Sequence, residues 1–345
     1  MNIYDELQKN LKSNPKVWLV TGVAGFIGSN ILETLLSLDQ KVIGLDNFAT
    51  GFRSNIDQSI KDANELAGQN VEHNFRFIEG DISELDICKN ACSGVDYVLH
   101  QAALGSVDRS IDDPIMTNQA NIVGFLNMLV ASKDQKVEKF IYASSSSVYG
   151  NNKDLPKKEN MIGCPLSPYA VTKQVNELYS DVFASTYGLK TIGLRYFNVF
   201  GKRQDPNGAY AAVIPKWISK IMKNEQVFVN GDGQTSRDFC YVHNAVQMNL
   251  LAATATNKKA IDQIYNVALN DQTSLNELYF MIEERLIKKV KGLKQRKPLY
   301  RDYRKGDIKH SRANIDKAKK LLNYEPKYKI FEGLDETIDW YINSL

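Results

Sequence analysis

An α/β fold is what the sequence predicts: a doubly wound parallel sheet followed by a smaller, mixed α/β C-terminal domain. Three observations carry the prediction. Between residues 16 and 195, short apolar runs of strand length alternate with segments of helical periodicity, the pattern of parallel strands with helices on both faces. The first run ends in a glycine cluster, Gly22, Gly25 and Gly28, which opens a helical segment. After about residue 198 the alternation gives way to polar, turn-rich loops such as 201–208.

In chain order, Ile3, Leu7 and Leu11 stand at helical spacing and predict a short amphipathic helix packed on the body. Residues 1–14 lack the apolar core of a secretion signal. Residues 16–21 form the first strand, 29–38 a helix, and 41–45 a second strand that ends in Asp46. Strand, glycine turn, helix, strand, acid is the opening unit of a dinucleotide-binding fold, here with GxxGxxG rather than GxGxxG spacing. Glycines let backbone approach a pyrophosphate, and a helix N-terminus offers it free N–H groups. Asp46 is placed to bind both ribose hydroxyls and to repel a 2′-phosphate, which favours NAD over NADP. Arg53, close in sequence, acts the other way.

Further strands are read at 76–78, 97–100, 140–143 and 191–195. Ligands of such sheets bind at the carboxyl ends of the strands. That singles out Asp81 and Ile82, Gln101, Ala102 and Ala103, Ser144 to Ser147, and Tyr196, Phe197 and Asn198. Asp81 is placed to meet an adenine amino group, and the two alanines leave room for the cofactor. A serine after the 140–143 strand can bond a reacting hydroxyl and the carbonyl it becomes; four adjacent serines leave the choice open.

Tyr169 and Lys173 lie four residues apart, on one face at the start of a helix. A nearby cation favours the phenolate, which makes Tyr169 a base able to take a proton from a sugar hydroxyl near neutral pH. Val171, Val175, Leu178 and Val182 predict one buried stripe along this helix. Beyond it come a helix at 213–222, a short strand at 227–229 and the tight turn 230–233. Arg237 and Arg304, on separate loops, suit a forked clamp on a diphosphate. The basic run 285–297, mixed with Leu and Val, reads as a solvated helix face.

With 345 residues the chain is long enough for two domains: a helical extension at 1–16, a cofactor domain at 17–198 and a substrate domain at 199–345, some of whose segments return to the first. A hydrophobic fraction of 43% is that of a globular protein rather than a disordered one. A net charge of +3 is too small to imply a nucleic-acid partner. No apolar run is long enough to span a membrane. Cys88 and Cys92 share a helix face, but no nearby histidine or second pair completes a metal set. With Cys164 and Cys240 they read as reduced thiols of a cytoplasmic protein.

The segments 21–28, 46–47, 144–150, 169–173, 196–198 and 237–238 together resemble the extended short-chain dehydrogenase/reductase family over nearly the whole chain. Within it, residues 103–107, 204–213 and 230–233 look like those of UDP-hexose 4-epimerases, most similar to the bacterial UDP-N-acetylglucosamine/UDP-N-acetylgalactosamine enzymes of surface-polysaccharide synthesis. The resemblance implies a Rossmann-like sheet and a tightly held NAD. It adds Phe26, Ile27, Asn47, Thr50, Gly51 and Asn121, with Ser144, Tyr169, Lys173 and Tyr196, to the cofactor set. It implies that Tyr169 takes the proton of the sugar 4-hydroxyl while hydride leaves C4. Lys173 assists Tyr169 and bonds the nicotinamide ribose. Ser145, counted back from Tyr149, is the catalytic serine, flanked by Ser144 and Ser146. The 4-keto sugar then turns over and is reduced on its other face.

Asn198, Arg237, Arg304 and Asp307 match substrate positions. Gly105, Ser106, Gln204, Ala212, Val213 and Ser311 match the pocket of N-acetyl-preferring members, Ser311 leaving space that a tyrosine would fill. A homodimer through two helices per subunit is expected, the Tyr169 helix among them. A 4,6-dehydratase would carry Asp-Glu where Ser146 and Ser147 stand; a UDP-glucuronate epimerase would want a cation, for which Arg109 is available. A non-catalytic NAD-binding module would not need the full Ser145, Tyr169 and Lys173 set.

Overall fold

The apolar runs assemble into one seven-stranded sheet in the computed structural model, which describes residues 3–303 and 309–344. Strands β1 (Val17–Thr21), β2 (Lys41–Asp46), β3 (Phe75–Glu79), β4 (Tyr97–His100), β5 (Lys139–Ser145) and β6 (Thr191–Tyr196) are joined by Gln263–Val267 next to β6. All neighbours run parallel. From one edge the order is Gln263–Val267, β6, β5, β4, β1, β2, β3, so the winding reverses beside β1. Register brings Thr21 beside His100 and Ser145 beside Tyr196, which lines the strand ends up along one rim. β1 and β4 are buried because helices cover both faces.

Part of the chain after residue 198 returns to this sheet. The helix Val242–Thr254 packs beside Phe26–Ser37 and against β5 and β6, and Asp316–Leu322 covers Gln263–Val267. The rest builds a second core around Trp217, Tyr279, Ile282, Leu286, Leu334 and Tyr341, above the carboxyl rim.

Three sequence expectations need correction. The Tyr169 helix spans Pro168–Tyr187, with Ser167 capping its start and left-handed Gly188 ending it. Its buried face is Ala170, Thr172, Lys173, Asn176, Glu177, Ser180 and Phe183. Val171, Leu178 and Val182 are 46%, 59% and 52% exposed, and Val175 is half-buried. Polar side chains win the inner face because they are bonded there: Asn176 donates to the Asn121 carbonyl at 2.7 Å. In the N-terminal helix Ile3–Ser13, Tyr4 and Leu11 are buried while Ile3 faces out. The basic run is helical only as far as Lys289, where Leu275–Lys289 ends; Arg285 and Lys289 pair with Asp335 and Asp339 of the last helix rather than standing in solvent alone.

Candidate active site

Between the carboxyl rim and the second core lies a cleft of about 1280 Å³. The glycine turn forms one wall. Gly22 has φ +68°, and a Cβ on Gly28 would fall 2.1 Å from the Gly22 carbonyl oxygen, so the turn closes this tightly only with glycine there. Gly25 begins the helix Phe26–Ser37 and no side chain caps it, which leaves the start of the helix open to an anion. Asp46, at the tip of β2, accepts from the Ala24 and Phe48 amides at 2.9 and 2.8 Å. Burial raises its pKa against those bonds. Asn47 donates to Asp81 at 2.7 Å; with Ser83 it holds the Asp81 carboxyl below its ordinary range despite burial. Arg53 is turned away, 3.5 Å from Asp57 and stacked over Phe77.

Gly22, Gly25, Phe26, Ile27, Gly28, Asp46, Asn47, Thr50, Asp81, Ile82, Gln101, Ala102, Ala103, Ser144 and Tyr196 all line the cleft, as do Tyr169 and Lys173. Tyr196 is fixed by a triangle: its hydroxyl donates to Gln101 at 2.9 Å and accepts from Asn249 at 2.7 Å, and Gln101 donates to Asn249 at 3.0 Å. Two expected cofactor residues lie behind the wall. Gly51 packs on Ala24, where a Cβ would meet backbone at 2.7 Å. Asn121 is buried, bonded to both the amide and the carbonyl of Leu104.

Ser145, Tyr169 and Lys173, the groups expected to react, meet at the end of β5. Burial raises the Tyr169 pKa, and a hydrogen bond from Ser145 works against that rise. The expected lowering by Lys173 is not seen, because the ammonium donates to the Ala143 carbonyl at 2.9 Å and lies 5.8 Å from the centre of the Tyr169 ring. Lys173 itself is pushed down to about 8 by burial, against the field of Glu177. Ser144 donates to buried Glu177 at 2.5 Å, so its hydroxyl is engaged away from Tyr169. Of the adjacent serines, Ser145 is the one whose hydroxyl opposes the rise in the Tyr169 pKa.

Gly105, Ser106, Ser146, Asn198, Gln204, Ala212, Val213, Arg237 and Ser311 line the same cleft. Arg304 and Asp307 lie outside the described residues. Arg237 bonds the Ser236 and Lys309 carbonyls at 2.9 and 3.2 Å. Gln204 donates weakly to Val199 at 3.4 Å, while its Oε1 is buried with no partner among the described residues. Sequence reasoning missed Lys216, Lys220, Phe228 and Arg301 in this lining. Lys220 and Arg301 flank the Phe228 ring at 5.6 and 5.7 Å. The pairing of Leu299–Arg301 with Phe228–Asn230 brings Arg301 to the ring, Lys220 comes from the helix Val213–Met222, and no local spacing announces it.

Glycine turn, open helix start and acid-tipped β2 fit a dinucleotide, and comparison with known proteins agrees. Residues 18–268 match the model of the NAD dependent epimerase/dehydratase family. A solved UDP-N-acetylglucosamine 4-epimerase from Methanobrevibacter ruminantium M1, in complex with UDP-N-acetylmuramic acid, superposes with a TM-score of 0.85. It is 39% identical, over 96% of this chain and 99% of that one. A putative UDP-glucose 4-epimerase of Methanocaldococcus jannaschii is 34% identical over 94% of this chain and 98% of its own length. A UDP-glucuronate 4-epimerase of Thermodesulfobacterium geofontis is 34% identical over 94% and 95%. A doubly wound sheet with this cleft, matched over nearly its whole length by such relatives, belongs to the NAD dependent epimerase/dehydratase family.

Proposed function

We propose that the protein interconverts UDP-N-acetylglucosamine and UDP-N-acetylgalactosamine by oxidising C4, letting the 4-keto sugar turn over, and reducing its other face. The observation that carries this choice of sugar is Gln204, a residue of the cleft lining whose amide oxygen is buried and lacks a partner among the described residues. A buried acceptor without a donor is costly, and an N-acetyl N–H is a donor of the right kind. Ser311, Gly105, Ser106 and Ala212, all small, line the cleft and leave volume for the acetyl group.

Bound NAD supplies a hydride acceptor that later returns the hydride. The chain supplies the rest. Tyr169 takes the 4-hydroxyl proton and gives it back; Ser145 orients that hydroxyl and the carbonyl it becomes; Lys173 holds positive charge beside the phenol. Arg237, with Arg304 and Asp307, holds the UDP end so that the ketone is retained. Incubating UDP-N-acetylglucosamine with purified protein and no added cofactor should give galacto-configured product by NMR; absence of product on every UDP-sugar overturns the reading.

One observation favours a second substrate, UDP-glucuronate. Arg109 lines the cleft, stacked over Tyr210 at 5.0 Å, and its Nε is buried without a partner among the described residues. A higher kcat/KM for UDP-glucuronate than for UDP-N-acetylglucosamine would favour that assignment.

We also infer a homodimer through the exposed apolar side of the Tyr169 helix, and a reducing, cytoplasmic setting. The four cysteines are unpaired, and no helix among the described residues is long and apolar enough to cross a membrane.

A further inference from the structure

The helix that carries Tyr169 grips the end of β5 at three successive turns. Tyr169 pairs with Ser145, Lys173 donates to the Ala143 carbonyl at 2.9 Å, and Glu177 accepts from the Ser144 hydroxyl at 2.5 Å. The four-residue steps put all three side chains on one face. Glu177 is in turn clamped by Arg195 of β6, whose Nε and Nη2 reach Oε1 and Oε2 at 2.9 and 2.8 Å. From Arg195 the bonds run on to the Tyr149 hydroxyl at 3.1 Å and the Glu159 carbonyl at 2.9 Å. Tyr149 then donates to Asn266 at 2.6 Å. Ser144, Tyr149, Lys173, Glu177, Arg195 and Asn266 are all buried.

Resting on the 4-epimerase reading, we propose that Glu177 is a positioning residue for the reacting pair. Clamped by Arg195, it fixes the end of β5 through Ser144 and sets an anion one turn beyond the Lys173 ammonium.

Burial disfavours an ammonium, and Glu177 is the group that opposes this at Lys173. The other groups facing Lys173 do not help. Tyr169 shares its helix. His100 of β4 is held neutral by burial and by Lys173 itself, pushed down to about 3, and shares a hydrogen bond with Thr21. Around Glu177 stand Arg195, Tyr142 and, one turn on, Asp181. The forked Arg195 contact compensates the burial of the carboxylate. Without that anion Lys173 loses its proton at lower pH, and a neutral amine holds the Ala143 carbonyl, next to Ser144 and Ser145, by a weaker bond than the ammonium does. A merely structural Glu177 would change stability and leave the pH dependence where it was.

The test compares wild type, Glu177→Gln and Ser144→Ala. Glu177→Gln/Arg195→Gln, which removes both buried charges, serves if the single variant fails to fold. Two quantities are read from about pH 6 to 10: kcat and KM for UDP-N-acetylglucosamine, and the titration of Lys173 by NMR of carbon-13 lysine, assigned with Lys173→Met. Loss of the anion should lower kcat about tenfold near pH 8 with KM changed less than about twofold. The alkaline fall of kcat and the Lys173 titration should both move about one pH unit toward acid. Ser144→Ala should lower kcat and leave the alkaline fall in place. A folded Glu177 variant with wild-type kcat and an unmoved Lys173 titration overturns the proposal. Absence of turnover in wild type counts instead against the epimerase reading; the lysine titration, which needs no substrate, still decides the role of Glu177.

Discussion

In the proposed reaction Tyr169 must lose a proton from a half-buried site, and desolvation makes that harder. The Ser145 hydroxyl is what works against it. Tyr169→Phe removes the proton carrier and little volume. It should cut kcat by about a thousandfold, while the NAD released on denaturation stays equimolar with protein by absorbance. His243 supports a prediction about stability. It is half-buried beside Glu33, Lys202 and Arg203, and desolvation pushes its pKa down from 6.5 to about 4. An unfolded chain takes up this proton below about pH 6.5 and the folded one only near 4, so acidification favours unfolding across that window by roughly 3 kcal/mol. His243→Asn should flatten the fall of Tm between those pH values; an unchanged slope would show that His243 is not the group responsible. At this scale the spacing of Tyr169 and Lys173 was legible because helix geometry fixes it. Glu177 and Asn249 were not, because Arg195 and Tyr196, which give them meaning, lie on a remote strand.

At the scale of elements, the glycine turn was legible because each glycine has a steric reason. Gly28→Ala would press a methyl to within 2.1 Å of the Gly22 carbonyl. Forced repacking of this kind costs about 1–3 kcal/mol, so the variant should melt several degrees lower and copurify with less NAD. The loop after β6 was less legible. Arg203, fully buried, donates to Glu33 at 2.6 Å and Asp62 at 3.0 Å, and Lys202 joins both carboxylates. This cluster ties the helices Phe26–Ser37 and Arg53–Ala67 to the loop that carries Gln204, whose carbonyl accepts from Tyr341. Removing one partner of a buried pair costs about 3–5 kcal/mol. Arg203→Met should therefore destabilise by that order in urea melts and raise KM more than it lowers kcat, since it loosens Gln204, which the proposed function places against the sugar. In the sequence, 201–208 is only a polar turn, because ion pairs spanning some 140 to 170 positions leave no local trace.

At the scale of the whole molecule, the strand alternation foretold the sheet but not its seventh strand. Gln263–Val267 is as long as β1 but stands beyond the alternation that ends at residue 195, and non-local pairing with β6 reveals it. The reversed Tyr169 helix is the more instructive miss. Helical periodicity finds an apolar stripe without saying what covers it, and here the described residues do not. Val171, Leu178 and Val182, with Tyr187 at 55% exposure, continue into Ile111, Ile115 and Met116 of the adjoining short helices Val107–Asp112 and Pro114–Asn118. An apolar band this long, on the helix that holds Tyr169, is what a second copy related by a two-fold axis would bury against itself. The double variant Leu178→Asp/Val182→Asp places charges on that band without touching the inner face. Wild type should sediment as a dimer at micromolar concentration and the variant as a monomer with an unchanged circular dichroism spectrum. A monomeric wild type, or a variant that stays dimeric, would place the interface elsewhere or remove it.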